Sequence, residues 1–212
     1  MRLHMNIVYV HGLDSDANST KGLLLEQYCQ EHYPDIKVHR PDLNQSPEQV
    51  FSYLMDLVIK LSKDAKTALV GSSLGGYFAT LVSNSTGCPI LLLNPSTQPH
   101  ITLQRFEDNK SADTLKMDDN KDETLYTTPG GWAMTKADLQ WFAHHQLLSV
   151  ANPTQVIVML KKDDELLDAN LSAAFYQQQG ATVTIQEGGD HRFSDFAKQL
   201  PSVLDGLQQL SQ

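Results

Sequence analysis

Gly71-Ser72-Ser73-Leu74-Gly75 lies directly after the apolar run Thr67–Val70 and directly before the amphipathic stretch Leu74–Ser85. This is a G-x-S-x-G pattern, in which a strand turning sharply into a helix holds a serine hydroxyl clear of the sheet, so Ser73 is the candidate nucleophile. Glycines at 71 and 75 leave room for such a turn, because a Cβ at either would press on the neighbouring strand or helix. The helix N-terminus behind the serine favours developing negative charge. The same pattern also suits a plain N-cap serine, so the partners decide. Two phosphate-binding readings fail. Tyr77 and Phe78 follow Gly76 where a phosphate loop needs Lys and then Ser or Thr, and the glycines at 71, 75 and 76 do not match G-x-G-x-x-G.

A nucleophilic serine needs an imidazole base and a carboxylate to orient it, and after a serine turn of this kind the chain order is Ser, acid, His. Of the histidines that follow Ser73, namely His100, His144, His145 and His191, only His191 also follows a strand-terminal acid. It stands behind Glu187-Gly188-Gly189-Asp190, where two glycines let a loop fold back over the strand ends. His144 and His145 read as helix-surface or cap residues. Asp163, Asp164, Glu165 and Asp168 all lie just past the strand-like Gln155–Leu160. Asp164 is the candidate acid: Leu166 and Leu167 are expected to pack down while its carboxylate faces the histidine. Asp168 suits the N-cap of the next helix and Asp163 an exposed turn. Tyr9-Val10-His11-Gly12-Leu13 closes the first strand, and the N–H groups of Leu13 and Leu74 form the candidate oxyanion hole, with His11 structural. Losing one such donor typically costs roughly 3 kcal/mol of transition-state stabilisation. No metal site is expected: Asp118-Asp119-Asn120-Lys121-Asp122 begins like a calcium loop, but Glu123 replaces the required Gly and Pro129 the final Glu.

The elements that must position these residues alternate. Strand-like runs at Asn6–Val10, Ile36–Arg40, Thr67–Val70, Pro89–Leu93, Gln155–Leu160 and Thr182–Gln186 are separated by helical patterns at Ser19–His32, Pro47–Leu61, Leu74–Ser85 and Asp168–Gln179, with a last helix from Phe193 to Leu210. Alternation of this kind calls for an α/β fold, a mostly parallel six-stranded sheet flanked by helices. One break runs from Asn94 to Asn152, with an acidic stretch at Glu107–Glu123, a turn at Pro129-Gly130-Gly131 and a helix from Thr135 to about Leu148. Residues 95–152 are read as a cap or lid inserted into a single domain spanning residues 1–212, a decorated surface connection being the alternative that length alone allows equally, with Trp132, Met134, Trp141 and Phe142 packing it onto the sheet.

The 212 residues, 41% hydrophobic with 12 Gly and 9 Pro, suit one globular domain and exclude collagen-like, repeat and disordered classes. Sixteen Lys and Arg against 25 Asp and Glu give a net charge of −9 with the cations scattered, so no nucleic-acid partner is expected, although a local cationic pocket could be hidden in the net figure. Cys29 and Cys88 are too few for a disulfide framework and read as buried thiols. No targeting signal is visible and no apolar run approaches the roughly 18 residues of a membrane span, which points to the cytoplasm.

Taken together, His11-Gly12 with Ser15 and Lys21, Gly71-Ser72-Ser73-Leu74-Gly75-Gly76-Tyr77, Asn94-Pro95, Asp164-Glu165-Leu166-Leu167-Asp168 and Glu187-Gly188-Gly189-Asp190-His191-Arg192-Phe193 resemble the small bacterial esterases called YqiA-like, related to the YcfP proteins, within the α/β-hydrolases. The resemblance covers nearly the whole chain. It implies the α/β-hydrolase fold and an esterase or thioesterase acting on a small-molecule acyl ester without a cofactor, with Ser73, Asp164 and His191 as the matching triad. Two departures stand out: Lys161-Lys162-Asp163 replaces an expected Gly-containing turn, and Asp190 an expected Asn. The chemistry expected is acyl transfer, with activity rising with pH through a histidine pKa near ~6.5. An amidase with the same triad and a non-catalytic binding protein on the same fold are the alternatives.

Overall fold

The computed structural model describes residues 4–108 and 123–210. Six parallel strands, β1 (Met5–Val10), β2 (Ile36–His39), β3 (Lys66–Ser72), β4 (Ile90–Leu93), β7 (Val156–Lys161) and β8 (Thr182–Gln186), form one sheet in the order β2-β1-β3-β4-β7-β8. Helices α1 (Thr20–His32), α2 (Pro47–Leu61), α3 (Leu74–Thr86), α6 (Ala169–Gln179) and α7 (Phe196–Leu210) cover it. The central strands read as unbroken apolar runs because both faces are buried. Their side chains still alternate. Met5, Ile7, Tyr9, Ala68, Val70, Leu91 and Leu93 face a core closed by α1 and α7, whereas Val8, Val10, Leu69, Ile90 and Leu92 face a second core closed by α2, α3 and α6. All β-strand C-termini therefore point to one rim, where the β3–α3, β4, β7 and β8 connections converge.

The long connection between β4 and β7 holds α4 (Pro99–Thr102), a hairpin of β5 (Thr124–Thr127) and β6 (Ala133–Thr135), and α5 (Lys136–His144). The hairpin turns at Pro129-Gly130-Gly131, where Gly131 takes φ 95 and Thr128 N–H reaches Trp132 O at 2.9 Å. Thr135 and Asp138 form a capping box that starts α5. Trp132, Met134, Leu139 and Phe142 are buried in the same core as Tyr77 and Phe78 of α3. Most of the acidic stretch, and with it Asp118–Asp122, lies outside the described residues.

The last helix starts at Phe196, three residues later than its periodicity predicts, because Phe193 has φ 56 and leaves the helical region. Cys29 and Cys88 are buried free thiols, and burial pushes the Cys29 thiol up to about 12. Among the described residues no helix is long and apolar enough to cross a membrane.

Candidate active site

Ser73 occupies the turn between β3 and α3 with φ 56 and ψ −122, a conformation that costs a non-glycine residue roughly 1–3 kcal/mol. Glycines make the turn possible. A Cβ on Gly75 would lie 2.0 Å from Val10 O, and one on Gly71 2.7 Å from Gly75 O. Backbone bonds hold the serine in place: its N–H donates to Leu93 O at 3.1 Å, and its carbonyl accepts from Gly76 and Ser96 at 2.9 and 3.0 Å. Although Ser73 stands at the N-cap of α3, its side chain caps nothing. Its hydroxyl instead donates to His191 Nε2 at 2.8 Å.

The other ring nitrogen of His191, Nδ1, donates to both oxygens of Asp164, at 2.8 and 2.9 Å. A carboxylate only accepts, so this contact puts the proton on Nδ1 and leaves Nε2 as acceptor for the serine. Both side chains are shielded from solvent, His191 at 10% exposed and Asp164 at 2%. Asp164 Oδ1 also accepts from the N–H groups of Leu166 and Leu167 at 2.9 and 2.8 Å, which fixes the carboxylate plane. The three candidates chosen from the sequence therefore touch in one chain. Asp168 caps α6 through Asn170 and Leu171 N–H, and Asp163 is exposed. His144 and His145 are exposed at the end of α5. One expectation needs correcting: Leu166 does not pack down but is 58% exposed, and with Leu167 it lines the cavity, because their N–H groups turn inward to Asp164.

Ser73 and His191 open into a cavity of about 660 Å³ whose wall also includes Gly12, Leu13 and Leu74. A Cβ on Gly12 would sit 3.2 Å from Ser73 Cβ, so glycine lets the β1 loop approach Ser73 closely. Leu74 opens α3, in the first turn where N–H groups lack intrahelical acceptors. His11 is buried under this loop. Its Nδ1 donates to Gly12 O at 2.8 Å and its Nε2 accepts from Leu43 N–H at 2.9 Å, while burial pulls its pKa down, so it serves as a neutral strut. Trp132, Met134, Trp141 and Phe142 are absent from the cavity wall and pack the insertion onto the sheet.

Three residues named in the sequence analysis take structural roles that it did not assign them. Asn94, 1% exposed and with φ 42, donates from Nδ2 to the carbonyls of Asp190 and His191 at 3.1 and 3.2 Å and accepts from Lys161 N–H at 2.8 Å. It thus ties the end of β4 to the end of β7, just before Asp164, and to the loop carrying His191. Lys161, one of the departures noted above, is buried under the histidine loop. Its Nζ donates to Gln186 at 2.6 Å and Asp195 at 2.7 Å and lies 4.7 Å from the Phe193 ring centroid. Glu165 Oε2 accepts from His191 N–H at 2.9 Å. Among the described residues the non-glycine positive-φ positions are Ser73, Asn94 and Phe193, so backbone strain is confined to this rim.

The fold resembles solved structures over nearly its whole length. A putative hydrolase of the alpha/beta superfamily from Xanthomonas campestris pv. campestris is 18% identical, covering 97% of this chain and 98% of its own, at a TM-score of 0.60. Alpha/beta hydrolase domain-containing protein 10 from mouse is 16% identical over 97% of this chain and 90% of its own, at 0.70. Est1E from Butyrivibrio proteoclasticus, with ferulic acid bound, is 14% identical over 100% of this chain and 89% of its own, at 0.72. At such identities these likenesses establish the α/β-hydrolase fold. A family model, described as Uncharacterised protein family (UPF0227), matches residues 6–208. With all but a few terminal residues inside that match, the chain belongs to UPF0227, a family built here on the α/β-hydrolase fold.

Proposed function

We propose that this protein is a serine hydrolase that cleaves carboxylic esters, thioesters included, through a Ser73-His191-Asp164 triad and an acyl-enzyme intermediate. One observation carries the reading: an unbroken hydrogen-bond chain from Ser73 Oγ to His191 Nε2 at 2.8 Å and from Nδ1 to Asp164 at 2.8 Å, opening on a cavity. As Ser73 Oγ attacks the ester carbonyl carbon, its proton passes to His191 Nε2. Asp164 keeps the ring in the right tautomer and offsets the charge of the imidazolium. The N–H groups of Leu13 and Leu74 receive the tetrahedral oxyanion. The imidazolium then gives its proton to the departing oxygen or sulfur, and water repeats the sequence to free the acid. The insertion between β4 and β7 borders this cavity through Ser96, Thr102, Leu103 and Arg105 and acts as its cap.

A purely binding role on the same fold has no use for a strained serine whose hydroxyl is spent on an imidazole. Initial rates on 4-nitrophenyl butyrate, on a butyryl thioester and on the matching anilide test the proposal. Ester and thioester should be cleaved, and Ser73→Ala should lower those rates by at least about 10⁴-fold. Equal rates for the wild type and Ser73→Ala would overturn it.

A further inference from the structure

The chain carries 16 Lys and Arg against 25 Asp and Glu, yet the wall of the cavity beside Ser73 reverses that balance. Its charged residues are Lys21, Arg105 and Arg192 against Asp14 and Asp16. Both acids already have donors: Asp14 accepts from Tyr126 OH at 2.8 Å and Asp16 from Asn18 N–H at 2.6 Å. Arg105 is held by Thr102 O at 2.9 Å and lies over the Phe106 ring. Lys21 is different. Its Nζ makes a single hydrogen bond, to the backbone carbonyl of Arg192 at 2.6 Å, and among the described residues it forms no ion pair. An ammonium has three donors, so two remain for a ligand.

Burial pulls the Lys21 pKa down to about 8, opposed by the nearby Asp190 and, more weakly, aided by Arg192. A part-buried cation whose one hydrogen-bond acceptor is a neutral carbonyl, near Asp190 but not paired with it, is stabilised by an anion that takes up its free donors. Lys21 also lies in the first turn of α1, where the helix dipole adds to the positive potential.

The side of the substrate follows from the proton path. The leaving oxygen takes its proton from His191, so the departing alcohol must lie over the imidazole. Lys21 lines the same cavity and bonds the backbone carbonyl of the residue directly after His191, so its ammonium is assigned to the histidine side of the site. Resting on the hydrolase reading above, we propose that the preferred substrate is an ester whose alcohol portion carries a carboxylate or phosphate, and that Lys21, with Arg192 beside it, binds this anion.

The test compares phenyl butyrate with 4-(butyryloxy)benzoate, 4-(butyryloxy)phenyl phosphate and the monophenyl ester of glutaric acid, whose charge is on the acyl side. The readout is kcat/KM for each anionic ester divided by that for phenyl butyrate, which cancels general losses. Lys21→Met should lower this ratio about tenfold or more for one or both anionic alcohols, and Lys21→Arg should keep most of it. The benzoate and phosphate arms tell which anion fits. A ratio unchanged in Lys21→Met, or one that falls only for the glutarate, overturns the proposal. Calorimetry on Ser73→Ala separates the two readings: 4-hydroxybenzoate or 4-hydroxyphenyl phosphate should bind, and the added Lys21→Met change should abolish binding. Binding without Ser73-dependent cleavage by the wild type would sink the hydrolase reading alone, whereas cleavage with no Lys21-dependent binding would sink the anion site alone.

Discussion

Asp164 receives two backbone N–H groups as well as both contacts from the imidazole, so its plane is fixed by the fold itself. Replacing it by Asn keeps the shape but offers an N–H where the ring needs an acceptor, and the ring then adopts the wrong tautomer. In Asp164→Asn, kcat on 4-nitrophenyl butyrate should fall about 10⁴-fold with KM changed much less. A kcat near that of the wild type would remove Asp164 from the mechanism. Ser73 shows the same economy: its hydroxyl is released from the capping role its position invites, and the energy stored in its φ of 56 is held by bonds to Leu93, Gly76 and Ser96. That Ser73 and His191 meet was legible from local pattern, a serine between spaced glycines and a histidine behind two glycines, whereas four acids follow the strand and the packing of Leu166 expected to single out Asp164 does not occur.

Between elements, Asn94 acts as the joint. It is fully buried at the end of β4 and bonds the backbone of the last residue of β7 and of the loop after β8, next to the segments that carry Asp164 and His191. Asn94→Ala would leave two carbonyls and one N–H without their partner and let the loops drift apart. A misplacement of about 1 Å costs on the order of 10²-fold in rate. The variant should therefore lose roughly 10–100-fold in kcat with little change in KM, measured well below its melting temperature. A loss of stability with kcat intact would reduce Asn94 to a packing role. Nothing in the sequence around Asn94 announces this, since its partners lie up to 97 positions away. Lys161 was equally opaque, since its burial depends on Gln186 at the end of β8 and on Asp195 just before α7, both distant in sequence. The β5–β6 strands were missed, although their turn at Pro129-Gly130-Gly131 was read, because they are only four and three residues long and show little burial alternation.

For the molecule as a whole, the strand-helix alternation made the layered fold readable, but the order β2-β1-β3-β4-β7-β8 depends on which edges meet, and local periodicity carries no such information. The insertion is part of the domain's core. Phe142 is fully buried, with its ring 5.5 Å from that of Tyr77 and 6.0 Å from that of Phe78. Phe142→Ala should destabilise the protein by about 3–5 kcal/mol and lower the midpoint of one cooperative thermal transition, followed by circular dichroism. An unchanged midpoint would mean that the insertion folds apart from the sheet. The net charge of −9 likewise says little about the cavity, whose wall carries Lys21, Arg105 and Arg192 against Asp14 and Asp16.

The account depends most on Ser73 being a nucleophile that His191 activates. Intact-mass spectrometry after treatment with a fluorophosphonate, followed by peptide mapping, addresses it without knowledge of the natural substrate. One covalent adduct per chain is expected, mapped to Ser73, absent in Ser73→Ala and formed far more slowly in His191→Ala. No adduct, or one that persists in Ser73→Ala, would contradict it.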